Sequence, residues 1–233
     1  MDAKRAPLAA AHTLATGTPA PLGGGEAALI GLAALFIVAI PFLWPLAEHL
    51  NVMAHEGAHA AVGALLGYPP EAVALMRDAT GVTSFRPGID GYRAVAIGVI
   101  GYLGPSLFGL WAAKLIETRH VVAVLWIAVI FLVLLLFLIR RSFGLVSVPA
   151  AIALLALVMH GAHAALEEVF AYGIAWVLLL SGVRAAAADN VRAGDAWLLA
   201  LITRVPRRAW SLLWLGGTLL AVVIGGKWLV VGS

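Results

Sequence analysis

The sequence has no cysteine. That excludes disulfide frameworks, thiolate metal sites and cysteine nucleophiles, so any metal must be held by histidine or carboxylate side chains. Charge is scarce too. Only 12% of the 233 residues are charged while 63% are hydrophobic, and the mean hydropathy is +1.01. A soluble domain is about 25% charged, so the composition is that of an integral membrane protein. Lysine is almost missing, at three residues against twelve arginines, and with abundant Ala and Gly this points to a GC-rich bacterial source. The net charge of +3 is small and the basic residues are scattered. Nucleic acid is therefore not an expected partner. Spans of about 20 residues each leave no room for a large soluble domain, and one helical bundle is expected.

Residues 1–25 mix Pro, Gly, Thr and Ala without periodicity and read as a flexible tail. Residues 26–233 read as a single membrane-embedded domain. The apolar stretch from Ala27 to about Leu46 is longer than the core of a signal peptide and lies far from Lys4 and Arg5, so it is expected to be an uncleaved span. Further apolar segments fall at about 51–67, 93–116, 120–139, 143–160, 166–183 and 209–231. The fold class is therefore an all-α polytopic bundle of about six to seven membrane helices. With seven crossings and a cytoplasmic amino terminus, twelve basic residues fall inside and three (Lys114, Arg119 and Lys227) outside, which obeys the positive-inside bias. The predicted location is the cell membrane, multi-pass. Two connections differ from plain loops. In residues 68–92, Pro-Pro, Thr-Gly, Pro-Gly and Asp-Gly breakers surround the runs AVALM and GVTSF, which suits a short β-hairpin as well as a loop. In 184–208, AWLLALITRV is too short to cross and suits a dipping or interfacial helix.

The stretch NVMAHEGAHAAVGALLG, residues 51–67, sets His55, Glu56 and His59 among small and apolar residues. These three spell H-E-x-x-H. On a helix, positions four apart share a face, so both imidazoles can reach one metal ion while the glutamate stands beside its open coordination position. Such a metal lowers the pKa of a bound water to about 7, and Glu56 is placed to take the water's proton and pass it to a leaving amine. An ionisable residue within a membrane helix costs about 2.5–3.5 kcal/mol on insertion scales. Three together require a compensating partner, and a metal ion is one. The alternative is a set of histidines hydrogen-bonded in a bundle core or lining a proton path.

HEGAHAAVGALLG resembles the zinc-binding helix of the site-two protease family of intramembrane metallopeptidases. The resemblance to the small bacterial B-type branch continues through Gly81–Thr83 (GVT), GYLGPSLFGL at 101–110 and GDAWLLALITRVPRRAW at 194–210. It implies zinc-dependent hydrolysis of a peptide bond in or near a transmembrane segment of a membrane-protein substrate, with the lipid bilayer as the surroundings. It also implies a third ligand, an aspartate from a later segment, and Asp195 in GDAW is the match. The wider family's N-x-x-P-x-x-x-L-D-G pattern is not kept: Asn190 lies five residues before the aspartate, and the proline and the following glycine are missing. In GYLGPSLFGL, Phe108 stands where the family's G-P-x-x-N has asparagine, and Tyr102 and Ser106 are the oxyanion candidates.

His160 and His163, with Glu167 and Glu168 nearby, are rival ligands by their i, i+3 spacing, with a polar turn as the other reading. Glu48 and His49 look interfacial, and His12 and His120 have no evident partners. Two other function classes fit the sequence: an inactive scaffold or binder of the same fold, against which an intact Glu56 counts, and a proton or metal transporter built on the histidines.

Overall fold

The computed structural model describes residues 22–140, 142–161, 164–188 and 194–232. Helix α1 (Gly24–Ala39) starts with the Gly23 N–H donating to the Glu26 carboxylate at 3.1 Å, an acidic group at the positive end of the helix. It stops where proline acts. The residue before a proline is pushed out of the helical region, and Ile40, before Pro41, is extended at φ −81°, ψ 123°. Pro45 then lies in the first turn of α2 (Trp44–Leu65), where its fixed φ and missing N–H are tolerated. The axis turns by 94° between the two helices. Arg184 holds the bend from a neighbouring helix: its guanidinium donates to the Val38 carbonyl, left without a partner as α1 ends, and lies 4.4 Å over the Trp44 ring.

Of the two readings of residues 68–92, the hairpin is the one present. Strands β1 (Ala72–Leu75) and β2 (Gly81–Ser84) pair antiparallel, Val73 opposite Thr83 and Leu75 opposite Gly81. The Asp78 carboxylate tightens the turn by accepting from the Thr80 N–H at 3.2 Å and the Thr80 hydroxyl at 2.7 Å. The period of two sends Val73, Leu75, Gly81 and Thr83 to one face. The far edge of β1 is tied down: Val73 bridges to Ile139, its carbonyl accepts from the Arg140 N–H at 3.2 Å, and the Leu75 N–H donates to Ser142 Oγ at 3.2 Å.

The remaining helices are α3 (Gly91–Glu117), α4 (Val121–Leu138), α5 (Gly144–Gly161), α6 (Ala164–Ala188), α7 (Asp195–Thr203) and α8 (Arg207–Val231). Helix α3 is central and packs against α2, α6, α7 and α8. Small residues permit this. A methyl on Gly109 would lie 2.8 Å from the Leu179 backbone nitrogen, so α3 and α6 meet almost backbone to backbone. Large apolar side chains such as Leu134, Phe137, Leu157, Leu212 and Val223 are exposed on the outside of α4, α5 and α8, as suits contact with lipid.

The chain is thus an all-α polytopic membrane protein with one small hairpin. Helices α3, α4, α5, α6 and α8 are each long and apolar enough to cross a membrane, and the bent pair α1–α2 makes a sixth candidate when taken together. Among the described residues, seven separate crossings are not found. The two segments expected to cross singly, 27–46 and 51–67, are one broken unit split by Pro41 and Pro45. The twelve-to-three division of basic residues required all seven crossings and does not follow from this arrangement. The short apolar run at 196–205 does form a short helix, α7, seated on Ala196 and Leu199.

Candidate metal centre

Helix α2 carries His55, Glu56 and His59, and α7 carries Asp195 on its first residue. The two helices are brought together over α3. Leu199 of α7 is fully buried and lies against Gly98, where an added methyl would come within 2.9 Å of it. One turn further along α3, a methyl on Gly101 would lie 2.5 Å from His59 Cε1 and Nε2 and 2.7 Å from His55 Cε1. The missing side chain at position 101 is the space the two rings occupy.

Three donor atoms converge there. His55 Nε2 and His59 Nε2 are 3.0 Å apart, and Asp195 Oδ2 lies 3.1 Å from the first and 3.2 Å from the second. The tautomer of His59 follows from its other nitrogen. Nδ1 is 2.7 Å from the Ile97 carbonyl, which can only accept, so Nδ1 carries a proton, and in the neutral ring Nε2 presents a lone pair to the cluster. Asp195 Oδ2 is buried against the two imidazole nitrogens. A lone pair and a carboxylate oxygen therefore face each other beside a second imidazole nitrogen, an arrangement that a cation stabilises. The spacing fits as well: four ligands at 2.0–2.1 Å around zinc stand about 3.3 Å apart, close to the separations seen here. Burial works to raise the Asp195 pKa, but hydrogen bonds from His55 and His59, and their charge when they are protonated, outweigh it and hold the carboxyl below the usual carboxylate range. It is in the ionised form that a metal ligand needs.

Aromatic packing sets the second imidazole. The His55 ring meets Tyr102 edge-on at 4.9 Å, Tyr102 leans on Trp214 at 4.5 Å, and the buried Trp214 donates its indole N–H to the Val99 carbonyl at 2.9 Å. Tyr102 is thus beside the cluster. Ser106 is not: its hydroxyl donates weakly to the Leu179 carbonyl at 3.4 Å, in the contact between α3 and α6. Phe108 packs on Phe131 at 5.2 Å.

Glu56 is 4% exposed. Its Oε2 is 2.6 Å from the Thr83 hydroxyl of β2, and a methyl on Gly81 would collide with its Cγ and Oε1 at 2.5 and 2.6 Å. Among the described residues, His55, His59 and Asp195 are the one group of three or more side chains able to hold a metal. His160 lies in the last turn of α5 and does not join it; His163 and Asn190 lie outside the described residues. The chain also has an apolar cavity of about 760 Å³ lined by Met53, Ala54, Phe131 and Leu178 among others. Such a hollow is the usual first guess for a binding site, yet His55, Glu56, His59 and Asp195 do not line it, and the chemistry places the centre at the donor cluster instead.

The sequence profile of the Peptidase M50B-like family matches residues 28–225. The chain belongs to this family. The match runs from α1 into α8 and so takes in both helices that bring donors to the centre. No curated protein and no solved structure matches the chain. Membership of the Peptidase M50B-like family makes it a metallopeptidase-type membrane protein, in agreement with the resemblance carried by HEGAHAAVGALLG. Three contributors to the centre were not assigned from the sequence: the Ile97 carbonyl, Trp214 and Thr83. Only Thr83 had a signal, as the last residue of GVT between two turns.

Proposed function

We propose that this M50B-like protein is an intramembrane zinc metalloprotease of the cell membrane, in which His55, His59 and Asp195 hold the ion and Glu56 is the general base. The observation that carries the reading is the convergence of Asp195 Oδ2 on two imidazole nitrogens at 3.1 and 3.2 Å, one residue along α2 from a buried glutamate. When bound, zinc supplies a Lewis acid and lowers the pKa of a coordinated water to about 7.

The protein residues do the rest. The Ile97 carbonyl fixes the His59 tautomer, and the Tyr102–Trp214 stack fixes the His55 ring. The Glu56 carboxylate takes a proton from the attacking water as oxygen bonds to the substrate carbonyl carbon, then delivers it to the amide nitrogen as the C–N bond breaks. The substrate is a transmembrane segment of another membrane protein. In a helix its amide carbonyls are engaged in hydrogen bonds, so it must be extended before attack. The outer edge of β2 supports this step: among the described residues it has no backbone partner, because β1 covers only its other edge. An extended segment adding there would satisfy its backbone groups within the membrane.

The test is zinc content together with cleavage of a transmembrane substrate by the purified protein, with Glu56→Gln as control. One equivalent of zinc in both proteins, with cleavage lowered on the order of 10²–10⁴-fold in the variant, is the expected result. Equal cleavage by Glu56→Gln refutes the mechanism.

A further inference from the structure

A glutamate side chain is long and has several rotatable bonds, and holding it in one rotamer opposes up to about 2 kcal/mol of conformational entropy. A general base nevertheless has to meet its proton within hydrogen-bonding distance, and a misplacement of about 1 Å can lower a rate about 100-fold. Neither α2 nor the histidines fix the far end of Glu56. The hairpin does.

Thr83 Oγ1 lies 2.6 Å from Glu56 Oε2 and 3.1 Å from the Glu56 backbone oxygen. Its single proton serves one of them, and the shorter contact, to the group that carries charge, is the stronger. This occupies Oε2. The other oxygen, Oε1, sits with Cγ in the space that a side chain at Gly81 would take, since a methyl there would lie 2.6 Å from Oε1 and 2.5 Å from Cγ. Both contacts come from alternate residues on one face of β2, and β2 itself is held through β1 to Ile139, Arg140 and Ser142. The donor is thus mounted on a strand anchored at its far side.

We propose that Thr83 is a positioning residue of the proteolytic reaction: its hydroxyl clamps Glu56 Oε2 so that Oε1, in the gap left by Gly81, is the oxygen that moves the proton. This rests on the metalloprotease reading and makes the hairpin part of the base's mounting as well as a platform for an extended substrate.

The experiment compares the full-length wild type with Thr83→Val, Thr83→Ser and Gly81→Ala, reading kcat, KM and bound zinc on a transmembrane substrate. Expected for Thr83→Val is a kcat lowered about 10–100-fold, with KM within about two-fold of wild type and zinc retained, the pattern of a contact felt in the transition state. Thr83→Ser, which keeps the hydroxyl, restores most of the rate, and Gly81→Ala lowers kcat in the same way as Thr83→Val. A fully active Thr83→Val, a Thr83→Ser as impaired as Thr83→Val, or a loss confined to KM overturns the proposal. The last would leave the hairpin a substrate platform alone. Should Thr83→Val fail to fold, the serine and alanine variants decide: a poor serine or a fully active alanine overturns it. In each of these cases wild type still cuts and Glu56→Gln does not. A wild type that does not cut overturns the protease reading itself, and the Thr83 proposal with it.

Discussion

A single carbon added at Gly101 acts directly on the candidate metal centre. The methyl would stand 2.5 Å from His59 Cε1 and Nε2 and 2.7 Å from His55 Cε1, whereas ordinary contact begins at 3.4 Å. The rings must therefore retreat by about 0.9 Å, or the helices α2 and α3 must separate by a similar amount. The rings cannot retreat freely. His59 is bonded to Ile97 at 2.7 Å and His55 is backed by Tyr102 and Trp214. Two terms act on stability in opposite directions: overpacking destabilises by about 1–3 kcal/mol, while Gly to Ala within a helix stabilises by up to about 1 kcal/mol. The net is a destabilisation of roughly 0–3 kcal/mol, which lowers the unfolding temperature modestly. The change at the centre is large, because a displacement near 1 Å takes two nitrogens off their convergence with Asp195 Oδ2 and lowers turnover about 100-fold. Gly101→Ala is expected to purify as a folded protein with well under one equivalent of zinc by mass spectrometry and little cleavage. A variant that keeps full zinc and cuts normally would show that the rings do not occupy this space, and the geometry given for the centre would be wrong.

Two further outcomes follow from the same contacts. Asp195→Asn keeps the shape of the side chain and removes its charge, so zinc should be lost and cleavage fall at least about 100-fold, while His160→Asn leaves both unchanged because His160 is outside the cluster. Zinc titration of the two purified variants checks this, and loss of metal in His160→Asn rather than Asp195→Asn would reverse the assignment. Arg184→Met removes the donor to the Val38 carbonyl and the cation over Trp44; thermal unfolding should show a loss of about 1.5–3 kcal/mol with zinc retained. An unchanged unfolding temperature would mean that the two prolines alone hold the bend.

What could be read from the sequence, and what could not, divides by range. The H-E-x-x-H spacing is local, and a helix converts it directly into a shared face, so His55 and His59 were legible as a pair able to hold a metal, with Glu56 beside them. The hairpin was legible for a like reason, since Thr-Gly, Pro-Gly and Asp-Gly breakers bracket AVALM and GVTSF. The break between α1 and α2 was also local, yet hydropathy hid it: Pro41 and Pro45 sit inside one apolar run, and an average over that run registers grease and not the two fixed φ angles that turn the chain by 94°. Asp195 came from resemblance. Its spacing to the histidines carries no periodicity, because α7 reaches α2 through tertiary packing, with Leu199 on Gly98 of α3 and both Ala196 and Leu199 in a cluster with Trp214. The Ile97 carbonyl could not have been read at all, since a backbone oxygen has no residue identity. That oxygen nevertheless decides the chemistry of His59: it fixes the proton on Nδ1 and turns Nε2 into a metal-ready lone pair. A motif names the side chains that can bind a cation, and it is the long-range packing of α3 beneath them that sets which of their atoms face it.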